Sequence, residues 1–262
     1  MTRCGCAGLR LVRAIGAAAW QTVCMEEQTT AVAREDAEAA YARAEAATRR
    51  SRPPSDTLRR VLGLFFGAPS TRCIVLAIAG SIAARLGAGP LSMMELLLMA
   101  GIFVAWPFGE WSAHRWLLHI RPRRIFGLSF DPYFARRHRQ HHMNPSDFPL
   151  VFLPVRVVLT AYAVFSALLF VASGDRALTF GVMAAISVAA LVYEWHHFIA
   201  HTDYAPSIRW QAEVVRRHRL HHYKSERRWF GFTVPAVDDW FGTGGAAAEA
   251  ERSRTTRTLE ME

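Results

Sequence analysis

Two seven-residue phrases, RRHRQHH at 136–142 and RRHRLHH at 216–222, begin 80 residues apart and differ only at Gln140 against Leu220. Two readings open from this repeat: a duplicated electropositive patch, or two halves of one metal site. The remaining histidines bear on the choice. All 11 histidines lie between His114 and His222. In each HxxHH, positions i, i+3 and i+4 share about 100° of a helix surface. His138, His141 and His142 therefore form one face, and His218, His221 and His222 another. His197 and His201 are one turn apart. His114 and His119, at i and i+5, pair poorly on a regular helix. Their spacing predicts either a local π-bulge or two side chains reaching round different sides of an ion.

The surroundings of these phrases are apolar. Hydrophobic residues make up 52% of the 262-residue chain and charged residues only 20%, a balance that points to membrane spans. Four stretches are candidates: 73–87, 93–108, roughly 149–172, and 177–195. Very short turns, GAGPLS and GDR, join the first pair and the second pair. The expected fold is therefore all-α and integral to a membrane, with four transmembrane helices in two hairpins. Only Arg85 and Arg176 fall at the outer turns, whereas Arg59, Arg60, Arg121, Arg123, Arg124, both heptads, Arg227 and Arg228 fall on the opposite side. By the positive-inside rule that side is cytoplasmic. A histidine-rich helical cap holding a di-metal site is expected there, each histidine falling just after the second or fourth span.

The net charge of +9 rests almost wholly on arginine, Lys224 being the only lysine. Such usage suggests GC-rich coding and a bacterial inner membrane. A basic balance can signal nucleic acid, but in a chain with spans it fits cytoplasmic loops. No nucleic-acid partner is expected. The heptad arginines (136, 137, 139, 216, 217 and 219) lie mostly off the histidine arc and are expected to meet lipid phosphates. Aromatic residues near the site (Trp106, Phe108, Trp111, Trp116, Trp229, Phe230 and Phe232) read as an interfacial belt or a substrate groove. Cys4, Cys6, Cys24 and Cys73 form no CxxC pair and carry no assigned role.

Three regions are expected. Residues 1–59 form an N-terminal extension, partly disordered or helical, in which 26–50 suit a solvated helix, SRPPSD is a linker and Met25 is a candidate start. Residues 60–243 carry the spans and all the histidines and form the membrane domain, and 244–262 a flexible tail. Imidazole ligates Zn, Fe, Cu and Ni. Ten histidines are candidate ligands: His114, His119, His138, His141, His142, His197, His201, His218, His221 and His222. One ion takes four to six ligands, so ten argue for two ions. His196 points elsewhere and is left out. Glu110, Asp131, Asp147, Glu194 and Asp239 are candidate hydrogen-bond partners for imidazole N–H groups.

The segments EWSAHRWLLH (110–119), HRQHHMNPSD (138–147), YEWHHFIAH (193–201), HRLHHYKSERRWFGF (218–232) and VDDWFGT (237–243) resemble the histidine boxes of the fatty acid hydroxylase superfamily. That group includes fatty acid 2-hydroxylases, sterol desaturases and carotenoid hydroxylases, and the likeness covers roughly residues 60–243, as in a bacterial-type member. HRQHHMNPSDFPLVFLP most resembles the 2-hydroxylase branch, although Glu194 stands where an aspartate is usual and Thr202 where another histidine is frequent. The resemblance implies a di-iron centre, with zinc as the ion sometimes found on isolation. It also implies O2, a lipid or other lipophilic substrate, and hydroxylation of an unactivated C–H bond. Residues 1–72 hold no histidine for haem ligation, so the electron donor is expected to be separate, of ferredoxin or cytochrome b5 type. Two alternatives remain at this level: a sterol or carotenoid hydroxylase or desaturase with the same site, and a metal-binding membrane protein without redox chemistry.

Overall fold

The structure, a computed structural model, describes residues 57–247 and 250–259. The expected helix over 26–50, the linker and the Met25 start lie outside the described residues. Among the described residues nine α-helices and one small hairpin follow in order: α1 Leu58–Gly67, α2 Pro69–Leu86, α3 Met93–Ser112, a π-helical turn Ala113–Leu118, β1 Arg123–Ile125, β2 Leu128–Phe130, α4 Tyr133–Met143, α5 Phe148–Val151, α6 Val155–Ser173, α7 Arg176–Ala200, α8 Arg209–Tyr223 and α9 Ala236–Trp240.

Local chemistry explains where these helices start and stop. Thr57 and Ser92 cap α1 and α3 by accepting hydrogen bonds from Arg60 N and Glu95 N, and Asp175 caps α7 through Ala177 N at 2.7 Å and Leu178 N at 3.3 Å. Pro69 occupies the first turn of α2, where its missing N–H costs nothing. Gly174 ends α6 at φ 65°, a left-handed cap suited to glycine. Pro154 separates the short α5 from α6.

Four helical stretches are long and apolar enough to cross a membrane: Pro69–Leu86, Met93–Leu118, Phe148–Ser173 and Arg176–Ala200. Two run further than the sequence suggested. The second continues ten residues past 108, because Pro107 is absorbed inside α3 and the π turn extends the helix. The fourth continues five residues past 195. His114, His197 and their neighbours therefore ride on the spanning helices themselves, not on segments that follow them. α7 lies at the centre, packed against α2, α3 and α6. Its small buried residues, among them Gly181, Ala184, Ala185, Ser187 and Ala189, admit neighbouring helices closely. A side chain at Gly181 would strike the Glu95 carboxylate. That carboxylate is held by Arg85, which also donates to the carbonyls of Gly89 and Pro90 and so closes the turn between α2 and α3. α6 buries no residue.

One apolar cluster joins α1, α5, α7 and α8 through Val61, Phe65, Val151, Phe198, Ile199 and Val215. A second, of Trp111, Phe230 and Val237, lies beside the histidines. Residues 250–259, within the stretch 244–262 expected as a flexible tail, make defined contacts. Ala250 and Leu259 are buried, Ser253 N donates to Lys224 O at 2.8 Å, and the Ser253 and Thr255 hydroxyls both donate to Glu226. The segment is a strap. Its hydroxyls supply the polar partners that hold it to the loop following α8, a device not visible in a run of small polar residues.

Candidate metal centre

The π turn, α4, α7 and α8 bring ten histidines together in two groups of five. The first holds His114, His119, His138, His142 and His221. The second holds His141, His197, His201, His218 and His222. Within each group one nitrogen per residue lies within 4.8 Å of all the others. These are the ten positions singled out from spacing. The i, i+5 pair sits on a π-helical turn, whose wider coil carries His114 and His119 to the same side. His196 joins neither group. It is buried against Trp210, ring centroids 4.7 Å apart and nearly perpendicular.

Each heptad divides its histidines. On α4, positions i and i+4 (His138 and His142) serve the first group and His141 the second. On α8, His218 and His222 serve the second group and His221 the first. Each half of the chain thus builds one group from four of its own residues and receives the fifth from the other half. The exchange is visible in the distances. His141 Nε2 lies 3.1 Å from both His222 Nε2 and His197 Nε2, and His221 Nε2 lies 3.3 Å from His142 Nε2. The two groups abut where the His142 and His222 rings are 4.2 Å apart.

The donor chemistry fits cations. His114 Nδ1 donates to Phe230 O at 2.8 Å, His221 Nδ1 to Arg228 O at 2.7 Å, and His142 Nδ1 to Thr256 O at 2.9 Å. A neutral imidazole that donates from Nδ1 keeps a bare lone pair on Nε2. His142 and His221 therefore face each other with two acceptors and no proton between, a repulsive arrangement unless a positive ion lies between them. Further Nε2 atoms approach at 3.2 Å (His114–His138), 3.1 Å (His138–His142), 2.9 Å (His201–His218) and 3.0 Å (His218–His222). Imidazoles bound at roughly 2.1 Å to one ion place neighbouring nitrogens about 3 Å apart. Burial pushes His119, His138, His141, His142, His218 and His222 well below the usual imidazole range, and neighbouring imidazoles push the same way. His221 is lowered to about 4, again first by burial. Neutral rings are the ligating form.

The carboxylates take other parts. Glu110 accepts from Phe232 N at 2.9 Å and from Thr233 N and Oγ1 at 2.6 and 2.8 Å. Glu194 accepts from Ser70 Oγ and Leu153 N, tying α2 and the link between α5 and α6 to α7. Asp131 pairs with Arg136 and Arg139, and Asp239 with Arg217. Asp147 precedes α5 as its cap residue without a side-chain capping bond. None of the five carboxylates bonds to an imidazole among the described residues; backbone carbonyls fill that role where the sequence had suggested carboxylates. Asp238, unremarked beside Asp239, is the buried member of that pair. It accepts from Phe230 N, Gly231 N and Thr243 Oγ1 at 2.8, 3.0 and 2.7 Å. Together Glu110 and Asp238 hold the loop whose Phe230 carbonyl orients His114. The Phe232 ring from that loop stacks on His114 (4.9 Å) and also meets His197 and His218, walling both groups.

The heptad arginines are also mostly committed within the protein. Arg139 is buried, bonding to Asp131 and to Ile120 O. Arg219 donates to the carbonyls of Ala200 and Thr202, ending α7. Arg217 reaches Glu213, Asp239 and Pro235 O, and Arg137 reaches Pro149 O. Guanidinium forks that satisfy helix-end carbonyls are not available as lipid anchors; Arg136 and Arg216 keep about half of their side-chain surface in the open. Among the aromatic residues, Trp111, Trp229, Phe230 and Phe232 are buried, and of these Phe230 and Phe232 pack against the histidine rings, whereas Trp116 and Phe108 are exposed.

The fatty acid hydroxylase family model matches residues 99–243. Over 158 residues the chain is 28% identical to a fatty acid 2-hydroxylase of Macaca fascicularis, covering 59% of this chain and 41% of that protein. A dihydroceramide fatty acyl 2-hydroxylase of Arabidopsis thaliana is 25% identical over 149 residues, 56% of this chain and 60% of that one. A ceramide very long chain fatty acid hydroxylase of Saccharomyces cerevisiae is 28% identical over 150 residues, 56% and 37% respectively. The chain therefore spans less than two thirds of these relatives. The solved structure of full-length Scs7p, in which only the hydroxylase domain is visible, superposes with a TM-score of 0.54 at 22% identity. It covers 74% of this chain and 68% of that one, a likeness of fold. Since the family match takes in more than half of the sequence, from α3 to the loop behind the histidines, the chain belongs to the fatty acid hydroxylase family.

Proposed function

We propose that the protein is a membrane-embedded, O2-dependent di-iron hydroxylase acting on an unactivated C–H bond of a lipid acyl chain. The observation that carries this reading is the pair of five-histidine groups with exchanged ligands, set where the second and fourth of four apolar helices end. The relatives' names, fatty acid and ceramide 2-hydroxylases, favour an acyl chain over a sterol or carotenoid. His114, His119, His138, His142 and His221 would hold one ion, and His141, His197, His201, His218 and His222 the other. When bound, a pair of iron ions supplies the activation of O2 with electrons from a separate donor of ferredoxin or cytochrome b5 type; zinc would fill the nitrogens without redox chemistry.

The chain's own residues do the rest. The carbonyls of Phe230, Arg228 and Thr256 fix the ring orientation of His114, His221 and His142. Phe232 and Phe230 exclude water from the inner edge, which protects an oxidising site from side reactions. An apolar pocket of about 170 Å³ among α2, α3, α6 and α7, lined by Ile74, Trp106, Tyr162, Met183 and Ser187, has the composition to take a hydrocarbon chain. By the positive-inside rule the arginines gathered on the histidine side favour a cytoplasmic site, and the arginine-rich composition favours a bacterial inner membrane.

Comparative lipid mass spectrometry of cells with and without the protein tests the reading. Gain of one oxygen on an acyl chain supports it. Loss of two hydrogens would make the protein a desaturase, and a modified sterol or carotenoid would move it to the other substrate class. Purified protein that holds zinc alone, and that oxidises no lipid after iron loading with an electron donor and O2, would overturn it.

A further inference from the structure

The hairpin between the first two histidine segments covers nothing. β1 and β2 pair in antiparallel register, Arg123 with Phe130, Arg124 with Ser129 and Ile125 with Leu128, and all six strand residues are exposed. A lone two-stranded hairpin is marginal in water. Its tip makes this harder. Phe126 and Gly127 form the two-residue turn with φ of 50° and 80°, both left-handed, as a type I′ turn demands. Asn, Asp or Gly would adopt that backbone readily, whereas a phenylalanine there is strained by the clash of its Cβ with the backbone. Phe126 is also fully exposed, at 101%, so within the protein no burial offsets the strain. Leu128 is exposed beside it.

Charge and position indicate what would cover this tip. Arg121, Arg123 and Arg124 stand at the root of the hairpin, and the Arg123 guanidinium lies over the Phe130 ring at 5.5 Å. An apolar tip with a basic root matches the acyl boundary and phosphates of a bilayer surface. The hairpin also continues an interface already present. The second spanning stretch ends at Leu118, eight residues before Phe126, and Trp116 and Leu117 on its last turn are exposed as well. Eight residues reach at most about 29 Å, so the tip stays near the point where the helix leaves the membrane.

We infer that residues 121–130 form a membrane-dipping finger, inserting Phe126 and Leu128 into an anionic lipid surface while the three arginines bind headgroup phosphates. The inference rests on the part of the proposed function that sets the four helices in a bilayer. The finger would hold the π turn carrying His114 and His119 at a fixed depth, and so set how far along an acyl chain the histidines reach.

The test uses the full chain with Cys4, Cys6, Cys24 and Cys73 changed to serine and a single new thiol, Phe126→Cys, carrying an environment-sensitive fluorophore. Leu168→Cys on the exposed face of α6 serves as the control for the spans. Nanodiscs are made of phosphatidylcholine with or without phosphatidylglycerol, and with spin-labelled lipid as quencher. The expected result is blue-shifted emission at 126 and quenching by label near the headgroups. Both should be stronger with phosphatidylglycerol and weakened several-fold when Arg121, Arg123 and Arg124 become glutamine. Emission at 126 that stays water-like and is quenched only by aqueous iodide, with Leu168 quenched by lipid, would overturn the finger and leave the spans standing. Protection at 126 that persists in detergent, with energy transfer between labelled copies, would assign the tip to a second copy instead. Lack of lipid quenching at both sites would remove the membrane reading and the finger together.

Discussion

The two histidine groups use the same number of rings, but their surroundings differ. In the first, three rings are oriented by carbonyls from outside the helices: Phe230, Arg228 and Thr256. His119 is only partly buried and lines a cleft with Arg115, Arg121 and Arg227. In the second, all five rings are buried, and His141, His218 and His222 have no hydrogen-bond partner on Nδ1. The first group is therefore held by a loop and a strap, and the second by helix packing. Elements held by loops open at lower free energy than packed helices. The first group should then be the more labile and the more accessible, and the second the more rigid.

The largest effect should come from breaking the exchange between halves. His141→Ala and His221→Ala should each abolish lipid oxidation, and each should lower bound metal in the group that receives the residue. Metal analysis of the purified variants checks this, and a His221→Ala protein that keeps both ions and full activity would undo the division into two groups. Asp238→Asn comes next. It weakens three bonds to a buried carboxylate and should destabilise the protein by about 2–3 kcal/mol. Metal affinity in the first group should fall by roughly 10–100-fold, with the second retained, as read by thermal unfolding and metal titration. Removing residues 250–259 deletes the Thr256 carbonyl and should weaken the same group by about tenfold while sparing the other.

Acid should separate the groups further. The histidine values are lowered in the folded chain, so the unfolded chain binds more protons below about pH 6.5. Stability thus falls as pH drops below that value, and for His221 the loss continues down to about 4. Protons also compete with metal for the same nitrogens. Metal should leave the first group at a higher pH than the second, followed by dialysis and metal analysis between pH 7 and pH 4.5; simultaneous loss would erase the contrast. The smallest effect belongs to Arg216→Ala. Its pair with Glu213 is exposed, so stability should change by no more than about 0.5 kcal/mol.

The ring positions were legible because helical spacing alone sets which side chains share a face. HxxHH marked His138, His141 and His142 as one face, and the i, i+5 spacing of His114 and His119 marked a distortion that the π turn supplies. The division of each face between two groups was not legible. It depends on how the histidines of α4 and α8 meet in space, which neither heptad encodes by itself. The carboxylates were misread for a related reason. An aspartate near a histidine in sequence suggests a partner, yet Asp131 and Asp239 face arginines. The acceptors for His114, His142 and His221 are main-chain oxygens, and every residue has one. The VDDWFGT segment carried a signal that was available: of two adjacent aspartates on a helix only one can face inward, and Asp238 does.

The exchanged histidines also change what the ions mean for the chain's topology. His141 meets His197 and His222, 56 and 81 residues away, and His221 meets His142 at a separation of 79. Each ion would then act as a cross-link closing a long loop. Covalent closures of that length restrict the unfolded chain by about 4 kcal/mol on a chain-entropy estimate. Neither half can fill its own group, so the halves are stapled to each other in both directions. Stripping the metal would then do more than empty a site: it would remove the cross-links between the halves at the histidine end and leave them joined by helix packing alone.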